Sequence, residues 1–447
     1  MCDTVHSLID LLKNPSKQLK NQPIFYLFTK NLLIIGGLLL KLSPRTNINC
    51  SGNKTPSEKI PTFRELVMIP SKNIYITHRL RQFWHLSLLL FSVCCFAPTA
   101  MASTDKWDVN NPPGPSKQVN IDVEQGTWMS VDVSPDGETL VFDLLGDIYT
   151  MPISGGEAKS ITSGMAWDMQ PTFSPDGQYI AYTSDAGGGD NIWVMKADGS
   201  EPKQITDESF RLLNSPSWSP DGRFIVARKH FTSSRSLGAG EIWMYHLSGG
   251  KGIQLNKRPN DQKDLGEPVF SADGKKVFFS RDSTPGAIFE YSKDSNKQIY
   301  EIFSIDRHDG NIKAEISGPG GAVRPTPSPD GKKLAFVRRI RNQSSLFIKD
   351  LTTGEISPVY QQLDRDMQET WAVHGVYPTI SWTPDSRDLV FWAGGKIKRL
   401  NTQTLSVKEV PFKIQDTREI RTAVRFPVEV APEKFDVNML RWVTVSP

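Results

Sequence analysis

From about residue 127 the chain repeats one pattern of apolar and polar positions. Apolar triplets stand at Leu140-Val141-Phe142, Ile180-Ala181-Tyr182, Ile225-Val226-Ala227, Val277-Phe278-Phe279, Leu334-Ala335-Phe336 and Leu389-Val390-Phe391. Each follows the tetrad Ser-Pro-Asp-Gly or a close variant. The tetrads begin at Ser134, Ser174, Ser219, Ser271 (Ser-Ala-Asp-Gly), Ser328 and Thr383 (Thr-Pro-Asp-Ser). A further short strand pattern comes after each triplet, as in Asp147-Ile148-Tyr149, Asn191-Ile192-Trp193 and Glu241-Ile242-Trp243, and again at Glu301-Ile302-Phe303, Ser345-Leu346-Phe347 and Lys396-Ile397-Lys398. Apolar runs this short, bounded by Gly, Pro and Asp, predict buried strands rather than helices.

The unit is clearest between Trp167 and Thr206. Pro171-Thr172-Phe173 is a first strand, Tyr179 to Ser184 a second, Ile192 to Met195 a third and Pro202 to Thr206 a fourth. The tetrad Ser174-Pro175-Asp176-Gly177 turns the chain between the first two. Pro175 presets φ, Asp176 bonds nearby N–H groups, and Gly177 takes the positive φ that closes the hairpin. Four antiparallel strands in ~40 residues is the size of a propeller blade. A parallel β-helix has shorter coils and lacks hairpin turns. The predicted fold class is therefore all-β: a β-propeller of four-stranded antiparallel blades, six complete, with the first strand of a seventh.

Spacings between tetrads run 40, 45, 52, 57 and 55 residues, so the excess over a bare blade is expected in loops. The largest insertions are Lys229–Gly240, Asp282–Gln298 and Asp364–Tyr377. Such loops gather on one face of a repeat array and often form its binding surface. The last two residues, Ser446-Pro447, are the first half of a seventh tetrad, 63 residues after the sixth. The expectation is a propeller cut short. Val119 to Val123 has the alternation of an outermost strand, and its expected partner is the third strand of a blade lying beyond Pro447. The ring is then expected to be open.

The formal charge of +3 hides an asymmetry. Residues 1–102 hold 12 Lys/Arg and 4 Asp/Glu, whereas the remaining 345 hold 40 and 45. The repeat region lacks the basic stripe that a phosphate backbone requires, which argues against nucleic acid as a partner. All four cysteines (Cys2, Cys50, Cys94, Cys95) precede residue 103, so neither disulfides nor thiolate metal sites are expected beyond it.

Residues 68–102 read as a secretory signal peptide that opens at Met68. His78-Arg79-Leu80-Arg81 is its positive start, Phe83 to Phe96 its apolar run and Ala100-Met101-Ala102 its cleavage site. That run is short for a spanning helix of ~20 residues. The alternatives are a membrane anchor and, through Cys94 or Cys95, a lipoprotein. Residues 1–67 read as an overextended start or an unstructured tail, 103–118 as a linker and 119–447 as the propeller. The protein is expected in the periplasm or secreted, without stable membrane insertion once the signal is removed.

The chemistry in the repeats is sparse. After residue 102 the histidines are His230, His246, His308 and His374, and no two lie within 15 residues. No Gly-x-Ser-x-Gly pentad presents a nucleophile. Arg228-Lys229-His230 and Arg338-Arg339-Ile340-Arg341 sit at strand ends that reach the axis or the loop face. Together with Trp371 and His374 in the last insertion, Arg228, Lys229 and His230 form the candidate binding surface. Their bland alternative is pairing with neighbouring acids.

With their Asp/Asn-Ile-Trp/Tyr strands, the tetrads resemble the TolB-type propeller repeat of periplasmic proteins. Longer runs narrow the resemblance, among them Gly187 to Met195, Ala227 to Phe231, Lys257 to Asp261, Gly318 to Pro327 and Asp366 to Trp371. They resemble the propeller region of large exported amidohydrolases, in which TolB-like blades precede a metal-dependent (β/α)₈ barrel. The resemblance covers about residues 105–447. It implies a non-catalytic propeller whose partner is a catalytic domain missing from this sequence. It places no cofactor in this chain, and a divalent metal only in that barrel, where His-x-His would begin the ligand set. The alternatives are a stand-alone interaction module that contacts envelope proteins, and a propeller joined to a serine peptidase domain.

Overall fold

The computed structural model describes residues 108–445, apart from 210, 233–237, 290–293, 295, 371, 423–428, 430 and 435–440. The proposed signal peptide, its cleavage site, the extension 1–67 and all four cysteines lie outside the described residues. Six four-stranded antiparallel sheets follow one another, each with its strands in chain order. Their first strands are Val131–Val133, Met169–Phe173, Leu212–Trp218, Leu265–Phe270, Val323–Pro327 and Ser381–Trp382. No described residue is helical, and no helix among them is long and apolar enough to cross a membrane. The fold is the β-propeller that the repeat predicts.

Each tetrad closes the hairpin between the first and second strands of its blade, and the bonding explains its composition. Ser134 Oγ donates to Asp136 Oδ1 at 2.5 Å while accepting from Thr139 N at 2.9 Å. Asp136 Oδ1 also accepts from Glu138 N. The variant tetrad keeps every bond, because Thr383 supplies its own hydroxyl to Asp385 and to the amide of Asp388. Only its last position changes character, with Ser386 taking the positive φ (58°) that glycine takes elsewhere. The hydroxyl's bond holds the Asp136, Asp176, Asp221, Asp273 and Asp385 carboxyls below their usual range.

The blades pack face to face through apolar clusters that join each pair of neighbours, such as Ile192, Leu213, Ile225 and Tyr245 between the second and third. Side chains of one blade also bond the inner strand of the blade before it. Trp218 Nε1 donates to Thr172 O, and Trp382 Nε1 to Thr326 O. Between the last blade and the first, Val131 N meets Thr379 O at 3.4 Å, and Ser381 Oγ donates to Asp132 at 2.6 Å.

The ring therefore closes on itself, which corrects the expectation of an open one. Ser116–Val123 pairs antiparallel along its whole length with Phe412–Arg421, and that strand pairs in parallel with Gly156–Glu157 of the first blade. This ribbon packs its apolar side, including Ile121, Phe412 and Ile414, into the core shared by blades six and one. The partner expected beyond Pro447 is thus supplied by a segment just after the sixth blade. Trp442 to Val445 belongs to no described strand, and Trp442 is 91% exposed.

The insertion Lys229–Gly240 is also less loop than expected. Phe224–Thr232 and Gly238–His246 form one long hairpin in which Lys229 pairs with Glu241. Charged residues hid this strand from the apolar pattern. They are tolerated there because each has a partner.

Candidate functional site

The hairpins between second and third strands and the connections between blades share one face, opposite the tetrads. On it, the connection entering blade six (364–377) reaches across the axis to the other side of the ring. Val373 O accepts from Asn214 Nδ2 at 2.9 Å and from Arg228 Nη1 at 2.5 Å, both in blade three. Gln170 of blade two donates to His374 O at 2.5 Å, and the His374 imidazole meets Asp190 Oδ2 at 2.8 Å. Glu267 of blade four accepts the amides of Val376 (2.7 Å) and Tyr377 (3.2 Å). Arg324 of blade five donates to Tyr377 O. Arg339 pairs with Asp366 at 2.6 Å and also with Glu369. Val376 and Tyr377 are buried in the main core. The segment is a cap over the channel, fixed by four other blades.

Three of the sequence candidates act in holding this cap or its surroundings. Arg228 is 1% exposed, and its Nη2 reaches both oxygens of Asp264 and His230 Nδ1. It fits in mid-sheet because Gly240 and Gly266 offer no side chain where its guanidinium and methylenes lie. Lys229 pairs with Glu208 at 2.5 Å and lies 4.1 Å over the Trp243 ring. His230 is held neutral, its pKa lowered to about 3 by burial and then by the charge of Arg228. His374, with its side chain 41% exposed, is the most accessible of the described candidates. Trp371 lies outside the described residues. The structure thus brings Arg228 and His230 against the part of the cap that carries His374, and the charges of Arg228 and Lys229 are already matched by acids.

Beneath the cap, the inner strands surround an axial cavity of about 390 Å³ that extends to the tetrad prolines. Four of these strands carry the same irregularity. Gln170, Ser215, Glu267 and Arg324 take positive φ (54–56°), the pairing register shifts there, and a proline follows. The bulge turns these four polar side chains toward the cap and toward one another. Ser215 N donates to Gln170 Oε1, and Arg324 N to Glu267 Oε2, both at 2.7 Å. Asp143 accepts Ser130 N and Gln170 N, also at 2.7 Å, and burial pushes its carboxyl up to about 7. The candidates chosen from sequence omit these residues. Their signal was a polar residue directly before a proline at one place in successive repeats. Among the described residues, no three His, Cys, Asp or Glu side chains form a group suited to a metal ion.

Residues 129–238, which span the first two blades and the start of the third, match the family model of the tricorn protease N-terminal beta propeller domain. The uncharacterized protein Atu1656 of Agrobacterium fabrum is 30% identical over 156 residues, 33% of this chain and 53% of that protein. The uncharacterized peptidase YuxL of Bacillus subtilis is 26% identical over 197 residues, 42% of this chain and 24% of that protein. The chain thus matches about half the length of the first relative and a quarter of the second. Among solved structures, TolB from Acinetobacter baumannii superposes with a TM-score of 0.48 at 20% identity, covering 65% of this chain and 64% of that one. The early blades are thus similar in sequence to a tricorn-type propeller domain.

Proposed function

We propose that this chain is a non-catalytic propeller module of a larger exported hydrolase, which guides or presents substrate to a catalytic domain encoded elsewhere in the full protein. The observation that carries this is the cap. The polar side chains of the loop face, from Gln170 round to Arg339, are spent on fixing residues 364–377 across the axis. A face built this way offers a fixed shape rather than a free nucleophile or ligand set. The longer sequence runs favour a metal-dependent amidohydrolase, a C–N bond hydrolase, as the parent, with export to the periplasm or beyond.

A second reading is favoured by the relatives: YuxL, named a peptidase, matches this chain over a quarter of its own length. In that case the parent is a peptidase. Reading the genomic frame past codon 447 separates the two. A downstream His-x-His with barrel periodicity is expected. A Gly-x-Ser-x-Gly would transfer the assignment to a serine peptidase, and an early stop would leave an interaction module. The purified full chain is also expected to show no metal-stimulated hydrolysis of amides or peptides. Turnover that disappears in His374→Ala would overturn the non-catalytic assignment.

A further inference from the structure

The axial cavity has a chemical bias that its repeat does not require. The first strand of a blade is its inner edge, so backbone N–H and C=O groups there lack a strand partner on the axial side. Pro171, Pro216, Pro268 and Pro325 stand at the same place in four such strands, and all four line the cavity. Proline fits an edge strand because it has no N–H to leave unpaired. Each one removes a backbone donor from the wall.

A second, independent observation concerns charge. Three ionisable side chains border the cavity: Asp132, Glu267 and Arg324. Glu267 and Arg324 neutralise each other at 3.2 Å. Asp132 accepts Ser381 Oγ at 2.6 Å, Phe173 N at 2.7 Å and Thr172 Oγ1 at 3.0 Å, all from neutral donors. No ion pair among the described residues includes it. One carboxylate of the wall therefore has no counter-charge, where four prolines have removed backbone donors.

Residues 373–377 cross the axis at the other end, bonded to blades two, three and four, so a ligand is expected to enter from the tetrad face. We propose that this cavity binds a protonated primary amine, with Asp132 as its counter-charge. The amine is carried by a lysine side chain or an amino terminus of a polypeptide, or by a free alkylammonium ion. An ammonium group brings three donors and no acceptor, the complement of this wall.

The test uses calorimetry on the full chain with four probes: n-butylammonium, N-acetyl-lysine methylamide, glycyl-alanine amide, and the lysine probe acetylated on Nζ. One or more of the first three should bind one-to-one, and whichever binds identifies the source of the amine. The Nζ-acetylated probe should bind at least tenfold more weakly than its parent, or not at all. Asp132→Asn should weaken binding at least tenfold. Ser217→Phe, which fills the cavity without touching the bonds of Asp132, should abolish it. The proposal fails if none of the three amines binds, if acetylation makes no difference, or if folded Asp132→Asn binds as the wild type does. Should Asp132→Asn not fold, Ser217→Phe decides, and unchanged binding in it overturns the site.

Discussion

Glu267 is the group on which blade four, blade five and the cap converge, so Glu267→Gln is the most informative single change. One carboxylate oxygen accepts the amides of Val376 and Tyr377, and the other accepts Ser280 Oγ and Arg324 N. The residue is 2% exposed and is also the ion-pair partner of Arg324. An amide keeps the shape but replaces one oxygen by a donor. Either the two cap amides or the Ser280–Arg324 pair then face an N–H group, and the Arg324 charge loses its partner. Removing one member of a buried pair costs ~3–5 kcal/mol, and each buried amide left without an acceptor ~1–3 kcal/mol. These costs overlap, so a loss of about 4 kcal/mol is expected. With an unfolding entropy of ~2.1 cal/mol/K per residue, that lowers the Tm of a ring this size by about 6 °C. Urea denaturation reads the energy, and hydrogen exchange at the Val376, Tyr377 and Arg324 amides reads its location. A Glu267→Leu/Arg324→Met double variant should recover the ion-pair share but leave the amides fast to exchange. A Glu267→Gln protein within ~0.5 kcal/mol of wild type, the usual scatter of harmless surface changes, with those amides still protected, would refute this account of the cap.

Mild acid should stabilise the ring. Burial raises the carboxyls of Asp143 to about 7 and of Asp147 and Asp168 to about 6, so the folded state binds protons that the unfolded state releases, and this stability is lost as pH rises through those values. His230, lowered to about 3, works in the opposite sense below about pH 6.5, but it is one group against three. Tm should therefore rise from pH 8 to pH 5, and a steady fall over that range would contradict the burial of these acids. Arg418→Ala leaves Asp147 without its 2.7 Å partner and removes the bond to Leu145 O, so the ribbon should loosen at a cost of ~3 kcal/mol. Limited proteolysis between residues 411 and 421 should then speed up, and an unchanged rate would refute the closing role of Arg418. Gly320→Ala places a Cβ against Arg339 O at a φ of +82°, so a loss above ~2 kcal/mol by denaturation is expected. Ser174→Ala removes the bridge from Asp176 to the amide of Tyr179 and should cost about 1 kcal/mol.

The blades were legible because each tetrad carries its own bonding and each apolar triplet its own burial. Both are local, so one repeat predicts the next. The closing ribbon was not legible, because Val119 to Val123 and Ile414 to Ile420 are joined only through the ring between them. No short-range pattern marks Ser116 as the partner of Arg421. For the site, the strand ends at Arg228 to His230 were found through their charge, yet their state depends on Asp264 and Glu208, which other connections bring in. Gln170, Ser215, Glu267 and Arg324 went unnoticed because a polar residue before a proline reads as loop. Only the bulge, visible in three dimensions, shows four of them arranged around one axis.

The cap also has a kinetic meaning. Its bonds join residues separated by 204 positions (Gln170 to His374), 159 (Asn214 to Val373), 109 (Glu267 to Val376) and 53 (Arg324 to Tyr377). Contacts this distant form late, after the shorter loops within each blade have closed. During synthesis, blades two to five can each fold as they emerge, while residues 364–377 have no seat until all four stand in place. A ring with blade two or three missing or misregistered would leave the carbonyls of His374 or Val373 without the donors those blades supply. Seating of the cap is therefore a checkpoint on assembly: it tests every blade that it crosses.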